Sequence, residues 1–482
     1  MKALKLSYIY LLLLLSVLIT GCNKWLDVKP ENKFIEEQLF SSPQGFYDVL
    51  NGFYIKNGQN TSYGGRLTML TIDVLAQYYL VNLSNSNYTM SAYNYDSNSG
   101  RKTIDEIWTE AYINIVNVNK FFKSIDTYGS VLNEKERKRI KGEAYGLRAF
   151  YYFDVMRLFT KPYTRDSLTR VLPYYDSPTN EISDFKPSNF IMQKILEDLN
   201  TAETLLAEAD PAIAQNMVSR PTNAYGKDSR NYQMNYYAVK ALQARVNLWK
   251  GDKIAALKAA KILIDNQTKF PWIDQSDLNT IISNKIFATE MIFGVENPKL
   301  NDVYLQNFAP GLYDPDILAP NTSGTFINNT VFEGNATDYR YQYIWKVNGR
   351  PYATFFKYSS EGVGSNSFNF YRTVPLIKMS EMYLIAAECE PDLPTATAYL
   401  NLLQTKRNII GSTVTNPIAL NTAIMKEYRK EFCGEGQLFF YYKRTNTPSI
   451  IAGGTNSSMS MTDAKYTFPI PLSETMPGNY KK

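Results

Sequence analysis

The side chains in this sequence that are most suited to binding a ligand are aromatic. The chain of 482 residues contains 37 tyrosines and 25 phenylalanines but no histidine. Tyrosine offers a flat apolar ring with a hydroxyl at its edge, which suits stacking on a sugar or gripping a peptide. Without histidine there can be no Ser-His-Asp or Cys-His catalytic centre and no histidine-ligated zinc. The residue types therefore favour binding over these classes of catalysis.

The first 22 residues combine a basic start, an apolar run and a cysteine. Two lysines precede apolar residues 6–19, which are too few for a comfortable membrane span of about 20 residues. Residues 19–22, Ile-Thr-Gly-Cys, resemble the lipobox of bacterial lipoproteins, in which cleavage leaves an acylated cysteine as the first residue. We therefore predict a signal peptide over residues 1–21 and a lipid anchor on Cys22. An ordinary cleaved signal and a single anchor helix are the alternatives.

Composition limits the partners and the cross-links of the chain. The formal net charge is +5, and the loss of residues 1–21 would lower it by two. Neither this charge nor any clustered basic stripe supports nucleic-acid binding. The remaining cysteines, Cys389 and Cys433, could form a disulfide in an oxidising compartment, or could be buried as small apolar residues. In neither case do disulfides define the fold.

Helical periodicity dominates the rest of the chain. Apolar residues recur at three- and four-residue steps in residues 104–125 and 142–159, which predicts two amphipathic helices with matching stripes. We expect these helices to form a hairpin, with Asn133 as the N-cap of the second. Further along, Gly251 followed by Asp252 predicts the end of one helix and the N-cap of the next.

Repeated helix pairs of this kind stack as in tetratricopeptide-type proteins. The pattern continues through residues 189–209 and 235–264 and returns near the carboxyl terminus. The sequence thus predicts a mostly α-helical fold on a tetratricopeptide-like scaffold, with a few short strands. We expect a single domain over residues 22–482.

Two long segments break the helical pattern. Residues 57–101, the first insertion, are rich in Asn, Ser, Gly and Tyr and are expected to be loop around a short helix near 71–79. Residues 297–375, the second insertion, contain strand-like pieces such as RYQYIWKV and ATFFKY. Such long irregular segments are usually functional or disordered, and their aromatic content argues against disorder.

The order and spacing of many short motifs resemble one known family. Each motif is weak alone, but together they cover nearly the whole chain after Cys22. They include CNKWLDVKP, WTEAYINIVNVN, GEAYGLRAFYYFDVMRLF, FIMQKILEDLNTAE, VPLIKMSEMYLIAAE, MKEYRKEFCGEGQ and FPIPLSETMPGN. The chain is similar to the SusD/RagB family, the lipid-anchored partners of TonB-dependent transporters in bacteria that scavenge glycans and peptides.

This resemblance implies a function. The protein would be a non-catalytic lipoprotein of the outer membrane, exposed at the cell surface, that captures an oligosaccharide or a peptide. It would act as a lid over a SusC-like TonB-dependent transporter and pass the ligand to it. We expect no cofactor, no metal and no nucleic-acid partner.

The resemblance also implies that inserted loops build the ligand site above the helical scaffold. Aromatic rings there would stack on the ligand, Asp73 would accept hydrogen bonds, and Arg340 would donate them. Arg340 could instead be architectural, and every other candidate could be a loop side chain packed on the body. The candidate ligand-binding residues are Asp73, Tyr78, Tyr79, Tyr88, Tyr93 and Tyr95 in the first insertion and Arg340, Tyr343 and Trp345 in the second.

Two other functions remain open on the sequence. A helical-repeat lipoprotein could serve as a scaffold for outer-membrane proteins, although such a scaffold has little need of long aromatic loops. A glycoside hydrolase would need two carboxylates about 5 to 10 Å apart in a cleft, and no motif in the sequence indicates that two carboxylates lie together in this way.

Overall fold

The computed structural model describes residues 31–178, 181–215, 217, 230–279, 283–320, 325–361, 369–453, 455 and 457–476. The predicted signal peptide and the predicted lipidation site, Cys22, lie outside these residues. Within the part of the chain that is described, no helix is both long enough and apolar enough to cross a membrane.

Antiparallel helix pairs form the body, as the sequence predicts. The long helices α5 and α6 pack together, α6 packs along α7, and α8 and α9 continue the series. Helices α13 and α14 pack against this group and complete the body. The helices are α1 (Glu31–Leu39), α2 (Pro43–Asn57), α3 (Thr71–Leu75), α4 (Tyr88–Ser91), α5 (Asn98–Tyr128), α6 (Glu134–Phe159), α7 (Ser188–Ala209), α8 (Tyr236–Lys250), α9 (Lys253–Ile264), α10 (Gln275–Leu278), α11 (Leu300–Asn307), α12 (Tyr339–Ile344), α13 (Met379–Cys389), α14 (Leu393–Lys406), α15 (Pro417–Glu431), α16 (Leu438–Arg444), α17 (Asp463–Tyr466) and α18 (Leu472–Thr475).

Local signals set several helix ends where the sequence predicts them. Asn133 caps α6 in a capping box with Glu136, so two backbone N–H groups at the helix start gain acceptors. Gly251 ends α8 in the left-handed conformation with φ of 90°, and the Asp252 side chain accepts a hydrogen bond from Ala255 N at the start of α9. These predictions are confirmed.

Small residues allow α6 to approach its neighbours closely. A Cβ at Gly142 would lie 2.8 Å from Cγ of Leu206 on α7, and a Cβ at Gly146 would lie 2.5 Å from Cγ of Met234. Both distances are too short for real atoms, so only glycine fits at these contacts. The apolar stripe of α7 therefore packs directly on the backbone of α6.

In the described ranges of the chain, the strands are short and pair in four antiparallel two-stranded ribbons. The longest ribbon joins Met291–Glu296 to Thr373–Lys378 and flanks the second insertion. The predicted strand RYQYIWKV is mostly helical instead, because Asp338 caps helix α12 by accepting from Arg340 N. The strands are β1 (Arg170–Pro173), β2 (Phe185–Pro187), β3 (Met291–Glu296), β4 (Trp345–Lys346), β5 (Thr354–Phe355), β6 (Thr373–Lys378), β7 (Ser449–Ile451) and β8 (Ser458–Ser460).

The first insertion lies between the end of α2 and the start of α5 and consists of turns around α3 and α4, close to the prediction. The two cysteines Cys389 and Cys433 are free and buried, which agrees with the apolar alternative.

Candidate ligand-binding face

Both insertions are fixed to one buried stretch of chain, Glu427–Gly436, which we call the anchor segment. It covers the end of α15 and the turn before α16. In the first insertion, the two carboxylate oxygens of Asp73 accept hydrogen bonds from Gly434 N and Gly436 N, the latter at 3.0 Å. The Tyr78 hydroxyl donates to the carbonyl of Arg429 at 2.7 Å. These contacts hold the first insertion against the body.

The second insertion reaches the same segment through two cations. The Arg340 guanidinium pairs with Asp338 at 2.7 Å, with Glu427 at 2.8 Å and with Glu431 at 3.1 Å. Lys357 Nζ donates to the carbonyl of Cys433 at 3.0 Å and pairs with Glu435. The ion pairs therefore link the second insertion to both ends of the anchor segment.

Further charges extend this group into the body. Glu431 also pairs with Arg407 at 2.8 Å and with Lys378 at 3.0 Å, and Arg407 pairs in turn with Glu290 at 2.6 Å. All of these side chains are buried. A buried charge is tolerated only when partners and hydrogen bonds replace its water, and here each cation contacts at least one carboxylate.

The surroundings shift the pKa values of the acids in opposite directions. Burial acts to raise the pKa of Glu431, but Arg407, Lys378 and Arg340 outweigh it and hold that pKa well below the usual range. Burial raises the pKa of Asp73 well above its usual value, although the Gly434 and Gly436 N–H groups oppose the shift. The difference follows from the partners, because only Glu431 lies between several cations.

These contacts correct most of the predicted site. Seven of the nine candidates are buried in the body, so their side chains offer little or no surface to a ligand: Asp73, Tyr78, Tyr79, Tyr93, Tyr95, Arg340 and Trp345. Two of the tyrosine hydroxyls donate to backbone carbonyls within the protein, Tyr93 to Leu75 O and Tyr95 to Lys465 O, both at 2.6 Å. Trp345 packs edge-on against Phe355 at 5.6 Å. These residues hold the loops in place.

The remaining two candidates are half-buried. Tyr88 is the first residue of α4, at the edge of the first insertion. Tyr343 lies on α12, and its hydroxyl donates to Oδ1 of Asn279. Both rings keep part of their surface exposed, so their role in ligand contact stays a prediction.

The two insertions meet at the surface above the anchor segment. Leu80 N donates to the carbonyl of Ala319 at 2.9 Å in an antiparallel bridge. The Asn85 side chain donates to the carbonyls of Pro315 at 3.1 Å and Asp316 at 3.0 Å. The loops therefore form one continuous surface, which we call the loop face, over residues 80–88 and 309–319.

Arg350 braces the second-insertion side of the loop face. Its guanidinium donates to the carbonyls of Pro310, at 2.8 Å, and Leu312, and it also pairs with Asp314. This bracing presents Tyr313 to solvent with 82% of its surface exposed. Leu83, on the first-insertion side, is 76% exposed. An aromatic ring and an apolar side chain thus stand on the surface of a braced loop junction.

The sequence prediction missed Tyr313 and Arg350. The available signal was the run GLYDPD, in which a tyrosine lies between glycine and proline in a turn. Turn residues project side chains outward, whereas the chosen tyrosines flank short helices that pack on the body. Turn position would therefore have been a better guide than aromatic density.

The carboxylates beneath the loop face do not fit the requirements of a glycoside hydrolase. Asp338, Glu427 and Glu431 are buried and ion-paired with arginine or lysine, whereas a hydrolytic pair must face an open cleft. Among the described residues, no group of three or more acidic or cysteine side chains is arranged to hold a metal ion.

Two family models match the chain and together span most of it. One, described as "Starch-binding associating with outer membrane", matches residues 24–232. The other, described as "SusD family", matches residues 212–476.

Individual relatives are distant but cover the chain almost completely. SusD-like protein P2 of Formosa agariphila is 22% identical over 92% of this chain and 90% of its own length. A SusD superfamily protein of Bacteroides thetaiotaomicron has a TM-score of 0.67 at 21% identity, covering 90% of this chain and 97% of its own. A SusD-like carbohydrate binding protein of Bacteroides vulgatus also has a TM-score of 0.67, at 18% identity, covering 92% and 98%. These structures share the fold described above.

Proposed function

Because the chain belongs to the SusD/RagB family, we propose that it is a non-catalytic surface lipoprotein that captures glycans, or alternatively peptides, at the loop face. It passes the captured ligand to a SusC-like TonB-dependent transporter in the outer membrane. The family is one of carbohydrate-binding, outer-membrane-associated proteins, as the description of the first family model and the name of the Bacteroides vulgatus relative state.

One observation carries the proposal: exposed side chains of the loop face, including an aromatic ring, lie on loops that are held in place by buried ion pairs to the anchor segment. The buried ion pairs of the anchor segment fix both insertions, so little conformational entropy is lost when the loops meet a ligand. Tyr313 and Leu83 supply apolar surface, and the Asn85 amide lies at the junction of the two loops, where it donates to the carbonyls of Pro315 and Asp316. Aromatic rings beside amide groups are suited to sugar faces and hydroxyls.

A tether on Cys22 supports the same role. Acylation at this residue would hold the protein on a membrane, so that the ligand is captured next to the transporter and not in bulk solution. Replacing Cys22 with serine should release the protein from the membrane fraction while leaving ligand affinity unchanged. A Cys22→Ser variant that stays in the membrane fraction would argue against the tether.

Calorimetry against a panel of glycans and peptides tests the binding role. We expect the parent protein to bind at least one glycan, and we expect Tyr313→Ala and Tyr88→Ala to weaken that binding about tenfold, as loss of a stacked ring usually does. Tyr399→Ala is the matched control, because Tyr399 is a half-buried tyrosine on α14, outside both insertions. Equal affinity in all three variants would place the site elsewhere.

The same samples distinguish the alternatives. New reducing ends after incubation with a glycan would indicate a hydrolase. Binding of a peptide but of no glycan would change the ligand class. If nothing in the panel binds while a protein partner co-purifies tightly, the scaffold alternative would replace our proposal.

A further inference from the structure

A long groove follows helix α5 on the surface of the body. Two cavities of about 710 and 540 Å³ lie along this helix, and they are adjacent because Thr109 and Ile113 line both. The lining extends from Asn98 to Lys120. At 1.5 Å per residue, this is about 33 Å of helix. We call this feature the α5 groove.

The amino-terminal half of the α5 groove has no net charge. Three basic and three acidic side chains line it. Arg66 pairs with Glu106 at 2.7 Å, and Arg101 pairs with Asp96 at 2.6 Å. Because Arg66, Glu106 and Arg101 are already partnered, a charged ligand would gain little from these three side chains. Uncharged hydroxyl and amide groups of Thr61, Asn98 and Thr109 remain beside them.

Aromatic rings line the carboxyl-terminal half, together with Lys120, Glu181 and Glu474. Tyr112 and Tyr175 are half-buried, and their rings meet edge to face with centroids 6.1 Å apart. The Tyr112 hydroxyl donates to the carbonyl of Pro173 at 3.0 Å, and the buried Trp108 supports its ring at 4.7 Å. These contacts hold the ring at the wall of the groove in a fixed orientation. Fixed rings with adjacent hydroxyls and amides are suited to sugar residues.

The groove starts beside the first insertion. The hydroxyls of Ser99, in the first turn of α5, and Thr89, in α4, are 3.2 Å apart. Helix α4 begins at Tyr88, at the margin of the loop face. Helix α4 therefore connects the margin of the loop face to the first turn of α5.

From this placement we infer that the α5 groove binds a neutral, extended oligosaccharide as the continuation of the chain captured at the loop face. The inference rests on the proposed function and narrows its ligand to an uncharged polymer. A peptide suits the groove less well, because its charged side chains would meet ion pairs that are already satisfied.

Chain-length dependence tests this inference. We would measure the affinity of the parent protein for neutral oligosaccharide series of α-glucan, β-glucan, xylan and mannan, each from the disaccharide to long chains. Thr109→Trp blocks the middle of the groove at an exposed helix position. Thr127→Trp is the matched control, because Thr127 is exposed on the same helix but does not line the groove.

For the parent and for Thr127→Trp we expect affinity to rise with chain length by about tenfold, and for Thr109→Trp we expect this rise to be lost while short chains bind as before. If the parent binds oligosaccharides but Thr109→Trp keeps the rise, the groove inference fails and the proposed function stands. If no oligosaccharide of any length binds the parent, the groove inference fails, and the proposed function then depends on the peptides and other glycans of the calorimetry panel. If Thr109→Trp weakens only peptide binding in a parallel peptide series, the assignment to a neutral glycan is overturned.

Discussion

The helical body and the anchor segment are both buried, yet they are built from different chemistry. At the α6–α7 contact, Leu206 packs against the backbone at Gly142, and this packing is apolar and nondirectional, although the same two helices also share the buried Arg148–Asp198 ion pair. In the anchor segment, Glu427 and Glu431 contact cations from the second insertion and from the body at defined distances. Apolar packing accepts many pairs of side chains of similar volume, whereas charge pairs accept only a specific partner in a specific position.

This difference indicates a division of roles. The body supplies bulk stability through area removed from water. The anchor segment gives the two insertions one defined position, at the cost of desolvating many charges. If this division is right, mutations in the two regions should differ in how much they lower the free energy of unfolding, in how that loss depends on pH, and in their effect on ligand binding.

The largest expected effect is at Arg340. Replacement by methionine would leave Asp338, Glu427 and Glu431 buried without their shared cation, and we expect a loss of about 3 to 5 kcal/mol in the free energy of unfolding. Urea unfolding followed by circular dichroism measures it. The matched variant is Arg148→Met in the body, where Asp198 is the paired carboxylate. A loss at Arg148 equal to that at Arg340 would remove the proposed distinction between the two regions.

A second variant tests the apolar packing of the helical body. Leu206→Ala removes a fully buried side chain that contacts Gly142, and we expect a loss of about 3 kcal/mol from lost burial and the cavity left behind. Ligand affinity should not change, because the loops keep their anchor. Reduced affinity in a folded Leu206→Ala sample, measured by calorimetry, would show that the body and the loop face are coupled.

Replacing Asp73 is expected to lower the free energy of unfolding less than the two variants above. Its main effect should be to loosen the contact between the first insertion and the anchor segment. In Asp73→Asn, one carboxylate oxygen becomes an NH₂ group that faces a backbone N–H donor of Gly434 or Gly436. We expect a loss of about 2 kcal/mol, since a buried donor loses its acceptor. Hydrogen exchange should then increase at Gly434 and Gly436 before it increases in α6. Uniform exchange across both regions would contradict a local role.

Acid should weaken the anchor segment selectively. The pKa values of Glu427 and Glu431 are lowered in the folded protein because Arg340, Arg407 and the neighbouring lysines outweigh burial. Their stabilisation is therefore complete above the unfolded pKa of about 4.3 and is lost as the pH falls through the lower folded values. Urea midpoints measured from pH 7 downward should fall steeply in this window, and less steeply in Glu431→Gln. Glu134→Gln, at an exposed i,i+4 pair with Lys138, should keep the parent slope.

The smallest expected effect on stability is at the loop face. Tyr313 is 82% exposed, so Tyr313→Ala should change the free energy of unfolding by less than about 0.5 kcal/mol. It is also the variant for which we expect reduced ligand binding. A large change in the melting temperature would mean that Tyr313 supports the fold and is not a free ligand contact.

The amino-acid sequence by itself determined the helical body and the limits of the insertions. The apolar stripes, the Asn133 capping box and the Gly251–Asp252 junction act over a few residues, so their outcome can be read from neighbouring positions. The absence of histidine likewise excluded whole classes of catalysis without any structure. The motifs that resemble the SusD/RagB family pointed to the fold and to its loop insertions.

Only the tertiary structure decided which insertion residues face solvent and which face the body. Arg340 is paired with Glu427 and Glu431, 87 and 91 residues away, and Tyr78 is bonded to Arg429, 351 residues away. Sequence periodicity within an insertion cannot predict such distant partners, because the position of a side chain there depends on where the whole loop packs on the body. Most of the predicted residues are buried against the anchor segment or other parts of the body, whereas Tyr313, in a turn, is exposed.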